Sequence, residues 1–253
     1  MTMYREKRFE EIKRLLTERK ELSIDDIMQA VGVSRDTARR DVVALAASGA
    51  GRRTRGGIVS LTFGHTVPSY SERLKLFSAE KTAMAKTALS LIRPGGVYFI
   101  DDSTTLLKLS QSINSEVTVY THSLDNAIAL SVKGDVTLRI LGGKLNHHGR
   151  FFFEPATLTQ LGRIAFDAAF IGATAISKDG VYFPYADDAE VKATLAQAAR
   201  QVIVVSETQK FKIQAPYRGF PLAAIDTLIT ERALTPAERQ WFSPKLKLLA
   251  ANS

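Results

Sequence analysis

From residue 97 onward, six short apolar runs recur at 97–100, 117–120, 136–141, 168–171, 202–205 and 227–230. No other feature restricts the fold as much. Runs of four to six residues rich in Val, Ile, Phe and Tyr fit a pleated sheet better than a buried helix. Stretches with helical spacing lie at 78–92, 105–113, 124–132, 157–162 and 189–199. This alternation predicts an α/β domain with a mainly parallel sheet and helices on its faces.

The polar residues follow the apolar runs directly. They are Asp101-Asp102-Ser103-Thr104-Thr105, Thr121-His122-Ser123, Gly142-Gly143-Lys144, Gly172-Ala173-Thr174 and Ser206 to Phe211. In an open parallel sheet such loops gather at one edge, where ligands bind. Ser103, Thr104 and Thr105 open a helix, so their hydroxyls and N–H groups can hold an anion at its positive end. Ser and Thr there also serve as plain caps. Lys210 can neutralise a phosphate as a point charge.

The first 60 residues have a different character. They hold 13 Lys and Arg against 9 Asp and Glu, whereas the rest of the chain holds 21 against 17. The same net charge of +4 is thus packed into a quarter of the length, which points to a polyanionic partner. Phe9, Ile12, Leu15 and Leu16 form one helical stripe. Ser23 with Asp26 caps a second helix that Gly32 ends, and Ser34 caps a third from Arg35 to about Ala47. A short helix, a Gly turn and another helix make a helix-turn-helix. The third helix exposes Arg35, Thr37, Arg39 and Arg40 where a recognition helix meets base edges. Arg52, Arg53 and Arg55 flank Gly56-Gly57, which can turn a hairpin into a wing against phosphates. The candidate DNA contacts are therefore Ser34, Arg35, Thr37, Arg39, Arg40, Arg52, Arg53 and Arg55.

The run Val33-Ser34-Arg35-Asp36-Thr37-Ala38-Arg39-Arg40-Asp41-Val42, with Arg55-Gly56-Gly57 after it, resembles the signature of the DeoR family of bacterial repressors. Ala38 stands where that pattern has Ile. The second half is similar to the family's sensor domain. Asp101 to Thr105 matches D-x-G-T-T, Thr121-His122-Ser123 matches T-N-S, and Gly142-Gly143 matches G-G. Phe170-Ile171-Gly172, Glu190 with Lys192, and Gln209-Lys210-Phe211 complete the series, which spans residues 5 to 231. Ser103, His122 and Gln209 depart from the family's Gly, Asn and Ser. The resemblance implies a fold similar to ribose-5-phosphate isomerase and coenzyme A transferases. It also implies a sugar phosphate or related metabolite as effector. The implied effector contacts are Asp101, Ser103, Thr104, Thr105, Thr121, His122, Ser123, Gly142, Gly143, Glu190, Lys192 and Lys210.

The expected organisation is a winged helix-turn-helix at 1–60, a connector at 61–77 and the sensor at 78–253. The expected partners are double-stranded operator DNA, a phosphorylated metabolite and further copies of the chain, as a dimer or tetramer. The rival reading is a sugar-phosphate isomerase or transferase with an accessory DNA-binding head. Against it, no P-loop, G-x-G-x-x-G or Ser/His/Asp pattern occurs. No cofactor is expected. His147-His148 lacks a third ligand, so no metal is expected either. Asp187, Asp188 and Glu190 suit a helix start without any chemistry. Phe151-Phe152-Phe153 reads as core or subunit interface. With no cysteine, no export signal and no apolar run near the length of a membrane span, the cytoplasm is the expected compartment.

Overall fold

The structure is a computed structural model that describes residues 4–19, 21–47, 50–54, 56–59 and 70–251. The chain divides into two compact units, Met1–Thr66 and Val67–Ser253.

The first unit runs α1 (Arg5–Arg19), β1 (Glu21–Ser23), α2 (Ile24–Val31), α3 (Arg35–Ala47), β2 (Arg52–Arg53) and β3 (Gly57–Val59). Ser23 and Asp26 form the expected capping box at the start of α2. Gly32 closes that helix in the left-handed conformation at φ 66°, donating to the Met28 carbonyl. The sheet has order β1-β3-β2 and is antiparallel throughout. The hairpin expected from Gly56-Gly57 is present, but Gly57 belongs to β3 and the turn precedes it. A Cβ on Gly57 would lie 1.9 Å from the Leu22 carbonyl oxygen, so glycine there lets β1 and β3 approach. Ile12, Leu16, Leu22, Ile27, Val42 and Leu45 form the core together with Ala38, which is fully enclosed.

The second unit begins with α4 (Tyr70–Lys75) and α5 (Ser78–Leu89). β4 (Val97–Ile100), α6 (Thr104–Ser112), β5 (Val117–Thr121), α7 (Leu124–Ser131) and β6 (Val136–Ile140) follow. Next come the hairpin β7 (Lys144–Asn146) and β8 (Phe151–Phe153), α8 (Ala156–Leu161) and β9 (Ala168–Ile171). β10 (Ala175–Ser177), β11 (Gly180–Phe183), α9 (Ala186–Ala198), β12 (Val202–Val205) and β13 (Tyr217–Phe220) continue the chain. β14 (Thr227–Thr230), α10 (Pro236–Arg239) and β15 (Lys247–Ala250) complete it. Part of the expected connector is thus helical, since α4 packs on α6 with Tyr70 buried. Residues 61–69 lie outside the described residues.

Seven strands form one parallel sheet of order β15-β14-β12-β9-β4-β5-β6. Alternate strand residues feed two cores. Tyr98, Ile100, Phe170, Ile203 and Val205 meet α5, α6 and α7 on one face. Phe99, Ala169, Ile171, Val202 and Val204 meet α8, α9 and the small antiparallel sheet β10-β11-β13 on the other. From β4 the sheet grows one way through β5 and β6, and from the adjacent β9 it grows the other way. The β4/β9 boundary is therefore a topological switch point, where loops diverge and leave a crevice. Among the described residues no helix is long and apolar enough to cross a membrane.

Candidate functional site

The first unit presents α3 as its basic face. Ala38, Val42 and Leu45 turn inward, which leaves Ser34, Arg35, Arg39 and Arg40 exposed and Thr37 half-buried. Arg35 pairs with Asp25 at 2.5 Å and Arg40 with Asp36 at 2.6 Å. Both pairs are open to water and cost little to exchange for another anion. Asp41 has a different task. Both its oxygens accept from Arg8 of α1, at 2.8 and 3.0 Å, in a largely enclosed pair that fixes α3 against α1. Arg53 is exposed on the wing, while Arg55 and the side chain of Arg52 lie outside the described residues. Sequence reasoning missed Val43, a large apolar residue 46% exposed on α3 close to Arg39 and Arg40.

In the second unit a pocket opens at the switch point. It is lined by Asp101, Asp102 and Ser103 after β4, Gly172, Ala173 and Thr174 after β9, Phe183, Pro184, Tyr185 and Asp188 around the start of α9, and Arg73 of α4. Asp101 ties the two loops together. One of its oxygens accepts from the Ser103 N–H and the other from the Gly172 N–H, each at 2.8 Å. A Cβ on Gly172 would sit 2.4 Å from that of Ser103, so this crossing needs glycine. Ser103 caps α6 by accepting from the Leu106 N–H, and Thr104 and Thr105 are buried in its first turn.

Behind the pocket lies a buried charge cluster. The Lys192 ammonium donates to Asp102 at 2.7 Å and to Asp188, and lies 3.7 Å from Asp101. Burial alone would lower its pKa. The carboxylates of Asp102, Asp188 and Asp101 outweigh that and hold it well above the usual lysine value. Burial raises the Asp101 carboxyl to about 6, against the opposing pull of Lys192. For Asp102 the same burial is overcome by Lys192 and His122, and its pKa falls to about 2. His122 is fully enclosed, stacked on Phe99 with ring centres 5.5 Å apart. Its Nε2 lies 3.2 Å from Asp188, and its Nδ1 has no partner. Asp102, His122 and Asp188 bring three donor atoms within 4.8 Å of one another, a spacing open to a metal ion. The Lys192 ammonium already fills that position, in contact with all three residues. The cluster thus fits its own tethered cation rather than a metal.

A second group of charges lies beside Arg73. Lys81 of α5 is buried, donates to the Arg73 carbonyl and lies 3.6 Å from Glu207. Burial lowers the pKa of Lys81, with Glu207 opposing and Lys210 and Arg73 adding to the shift. Burial lowers Lys210 too, again against Glu207 and reinforced by Arg73. Lys81 and Lys210 therefore share the Glu207 carboxylate, with Arg73 close by and acting also on Asp102. Arg73 has a buried Nε without a hydrogen-bond partner.

Asp101 and Ser103 line the pocket, Lys192 and His122 lie directly behind it, and Lys210 belongs to the cationic group. Thr121 and Ser123 are buried in support. Thr121 donates to the Ile100 carbonyl at 2.7 Å, and Ser123 caps α7. Glu190 is exposed, turned away from Lys192, and Asp188 is the acid of α9 that meets the lysine. Gly142 and Gly143 do not line the pocket. Gly143, at φ 122°, passes so close to β8 that a Cβ would lie 2.4 Å from the Phe153 oxygen. Of the aromatic run, Phe151 is core. His147 and His148 are exposed between β7 and β8. Of Arg73, Lys81, Asp188 and Glu207, sequence reasoning weighed only Asp188, as an acid that suits a helix start. Two of these left a trace: Lys81 shares a helical stripe with Met84, Ala85 and Ala88, and Asp188 one with Val191 and Leu195. A charged residue in a core register marks a paired, enclosed group.

Residues 8–63 match the DeoR-like helix-turn-helix domain and residues 77–232 the DeoR C terminal sensor domain. The HTH-type transcriptional repressor GlcR of Bacillus subtilis is 36% identical over 91% of this chain and 90% of its own length. The lactose phosphotransferase system repressor of Lactococcus lactis is 30% identical over 99% of this chain and all of its own. A D-ribose-5-phosphate isomerase solved with phospho-erythronic acid is similar over 53% of each chain, at 15% identity and a TM-score of 0.39. With a helix-turn-helix in one unit, a switch-point pocket in the other, and both matched in order along the chain, this protein belongs to the DeoR family of helix-turn-helix transcriptional regulators.

Proposed function

We propose that this chain represses a carbohydrate-metabolism operon and is released from its operator by a phosphorylated sugar bound in the sensor pocket. The observation that carries this reading is a pocket lining that joins carboxylates and a hydroxyl to one guanidinium. The carboxylates of Asp101, Asp102 and Asp188 and the hydroxyl of Ser103 suit ring or chain hydroxyls. Arg73, with Lys81 and Lys210 close to it outside the lining, suits a phosphate. A polyol with a terminal anion satisfies both kinds of group at once. Relatives named as repressors of the lactose phosphotransferase system and of the glycerol-3-phosphate regulon support the same class of effector.

In this reading residues 1–60 bind DNA, 61–77 connect and 78–253 sense. Arg35, Arg39 and Arg40 meet base edges and Arg53 the phosphates, with paired half-sites matched by a two-fold dimer. The effector binds the DNA-free form more tightly than the operator-bound form, since a ligand indifferent to the two would shift nothing.

The test is binding of the purified chain to labelled DNA from upstream of its own and neighbouring genes, with and without a panel of sugar phosphates. Sequence-selective binding that one phosphorylated sugar releases, and its dephosphorylated form does not, is the expected result. Selective binding that no phosphorylated compound alters would overturn the assignment of the effector. Absence of selective binding at every salt concentration would overturn the operator reading itself.

A further inference from the structure

Among the described residues β6, at one edge of the large sheet, pairs only with β5. The Asp135 carbonyl and the Leu141 N–H both bond to β5, at 3.2 and 2.9 Å. Backbone groups alternate along a strand, so the odd-numbered residues of β6 bond inward. Leu138 and Ile140 turn theirs to the open edge, as does the carbonyl of Val136, whose N–H donates to the Lys133 carbonyl at 3.4 Å. Free edges are ordinarily blunted by Pro, by Lys or by a bulge. β6 has five residues, none of them Pro or Lys, in an unbroken register. Ile140 is 53% exposed, and Ile128 and Val132, in and just after α7, are exposed as well. The opposite edge strand, β15, starts with an exposed Lys247.

We propose that two copies of this chain pair along β6, antiparallel about a two-fold axis through Leu138, and so join their seven-stranded sheets into one. This register pairs the outward groups of Leu138 with those of its counterpart, and the Val136 carbonyl with the Ile140 N–H of the partner subunit. Leu138 faces its own counterpart, and Val136 faces Ile140 of the partner subunit, so the three apolar side chains of each edge form a ladder on one face. Charge selects the same arrangement. Asp135 and Arg139 are exposed, and neither has an ion-pair partner among the described residues. They occupy the other face of the strand, where Arg139 lies diagonal to Asp135 of the partner subunit. The two-fold axis makes this contact twice, within reach of long side chains. A second copy is thus the occupant that meets backbone, apolar surface and charge together.

The chain has no cysteine, so Leu138→Cys introduces a single thiol. Across a hydrogen-bonded antiparallel pair the two Cα atoms would be about 5.5 Å apart, within disulfide range. Mild oxidation of the full chain is expected to give a covalent dimer for Leu138→Cys and none for Lys247→Cys at the opposite edge. In sedimentation, Arg139→Asp is expected to weaken the dimer by about tenfold, and adding Asp135→Arg to restore it to within about threefold of the parent. A monomeric parent chain would overturn the proposal. So would a dimer that neither cross-links through position 138 nor responds to the charge reversal.

Discussion

Lys192 is fully enclosed, yet three carboxylates lie within ion-pairing reach of its ammonium. Removing one member of such a cluster costs more than the pair contributes, because the charges left behind remain buried. Lys192→Met is therefore expected to lower the unfolding free energy by about 3–5 kcal/mol, measured by urea denaturation of the full chain. Asp102 and Asp101 titrate in opposite senses. The depressed pKa of Asp102 contributes stability that is present above about pH 4 and lost as pH falls through about 2. The raised pKa of Asp101 works the other way: its contribution is complete in acid and lost as pH rises through about 6. Asp102→Asn should consequently destabilise the protein at pH 7 and change little near pH 2. Equal destabilisation at both would place the role of Asp102 in packing instead of charge. Lys81 and Lys210 add a ligand-linked effect. Burial lowers both, and a bound phosphate would favour their charged forms. Effector binding should thus take up protons where these lysines are partly neutral and weaken as pH rises through their lowered pKa values, as titration calorimetry in buffers of different ionisation enthalpy would show.

At the scale of elements, Gly57 is the most exacting position in the DNA-binding unit. Gly57→Ala places a methyl group 1.9 Å from the Leu22 oxygen and must separate β1 from β3. Operator binding is expected to fall, while the unfolding temperature of the sensor unit stays unchanged; a variant with normal operator affinity would show that the wing is dispensable. The elements that sequence revealed were those with strong periodicity or side-chain caps. Ser23 with Asp26, and Ser103 and Ser123, set helix starts through side-chain hydrogen bonds that residue type alone announces. α9 was foreseen one turn late, because Tyr185 before it supplies no side-chain cap and the helix opens with Ala-Asp-Asp. β1, the hairpin β7-β8 and β10 have three residues each, too few for an alternation to register. β15 pairs with β14 but starts on an exposed lysine, and its apolar residues read equally as a tail. The site divided on similar lines. Loops after strands were legible because sheet topology gathers them. Arg73 and Lys81 come from helices that precede β4, and only folding brings them to those loops.

For the whole molecule, the basic first unit sets the strength and salt dependence of DNA binding. Each phosphate neutralised contributes a slope of about −0.9 in the logarithm of affinity against the logarithm of salt. Arg53→Ala should weaken binding to all sequences and reduce the slope by about 1, while Arg39→Ala should relax discrimination at particular base pairs. Anisotropy titrations on matched and mismatched duplexes at several salt concentrations distinguish the two. Arg73→Ala, acting in the other unit, is expected to leave both properties intact and raise the effector concentration needed for release by about tenfold or more.

The β4/β9 boundary has a consequence for how such a regulator diversifies. The strands on either side belong to halves of the sheet that grow away from each other, while the two cores, one on each face, both run across the seam. Pocket-lining positions that do not brace the crossing, Arg73 and Tyr185 among them, can change while Asp101, Ser103 and Gly172 hold the loops in place. Duplicated copies of one ancestral gene can therefore drift toward new nutrients by altering a handful of codons, while inheriting folding and operator binding whole.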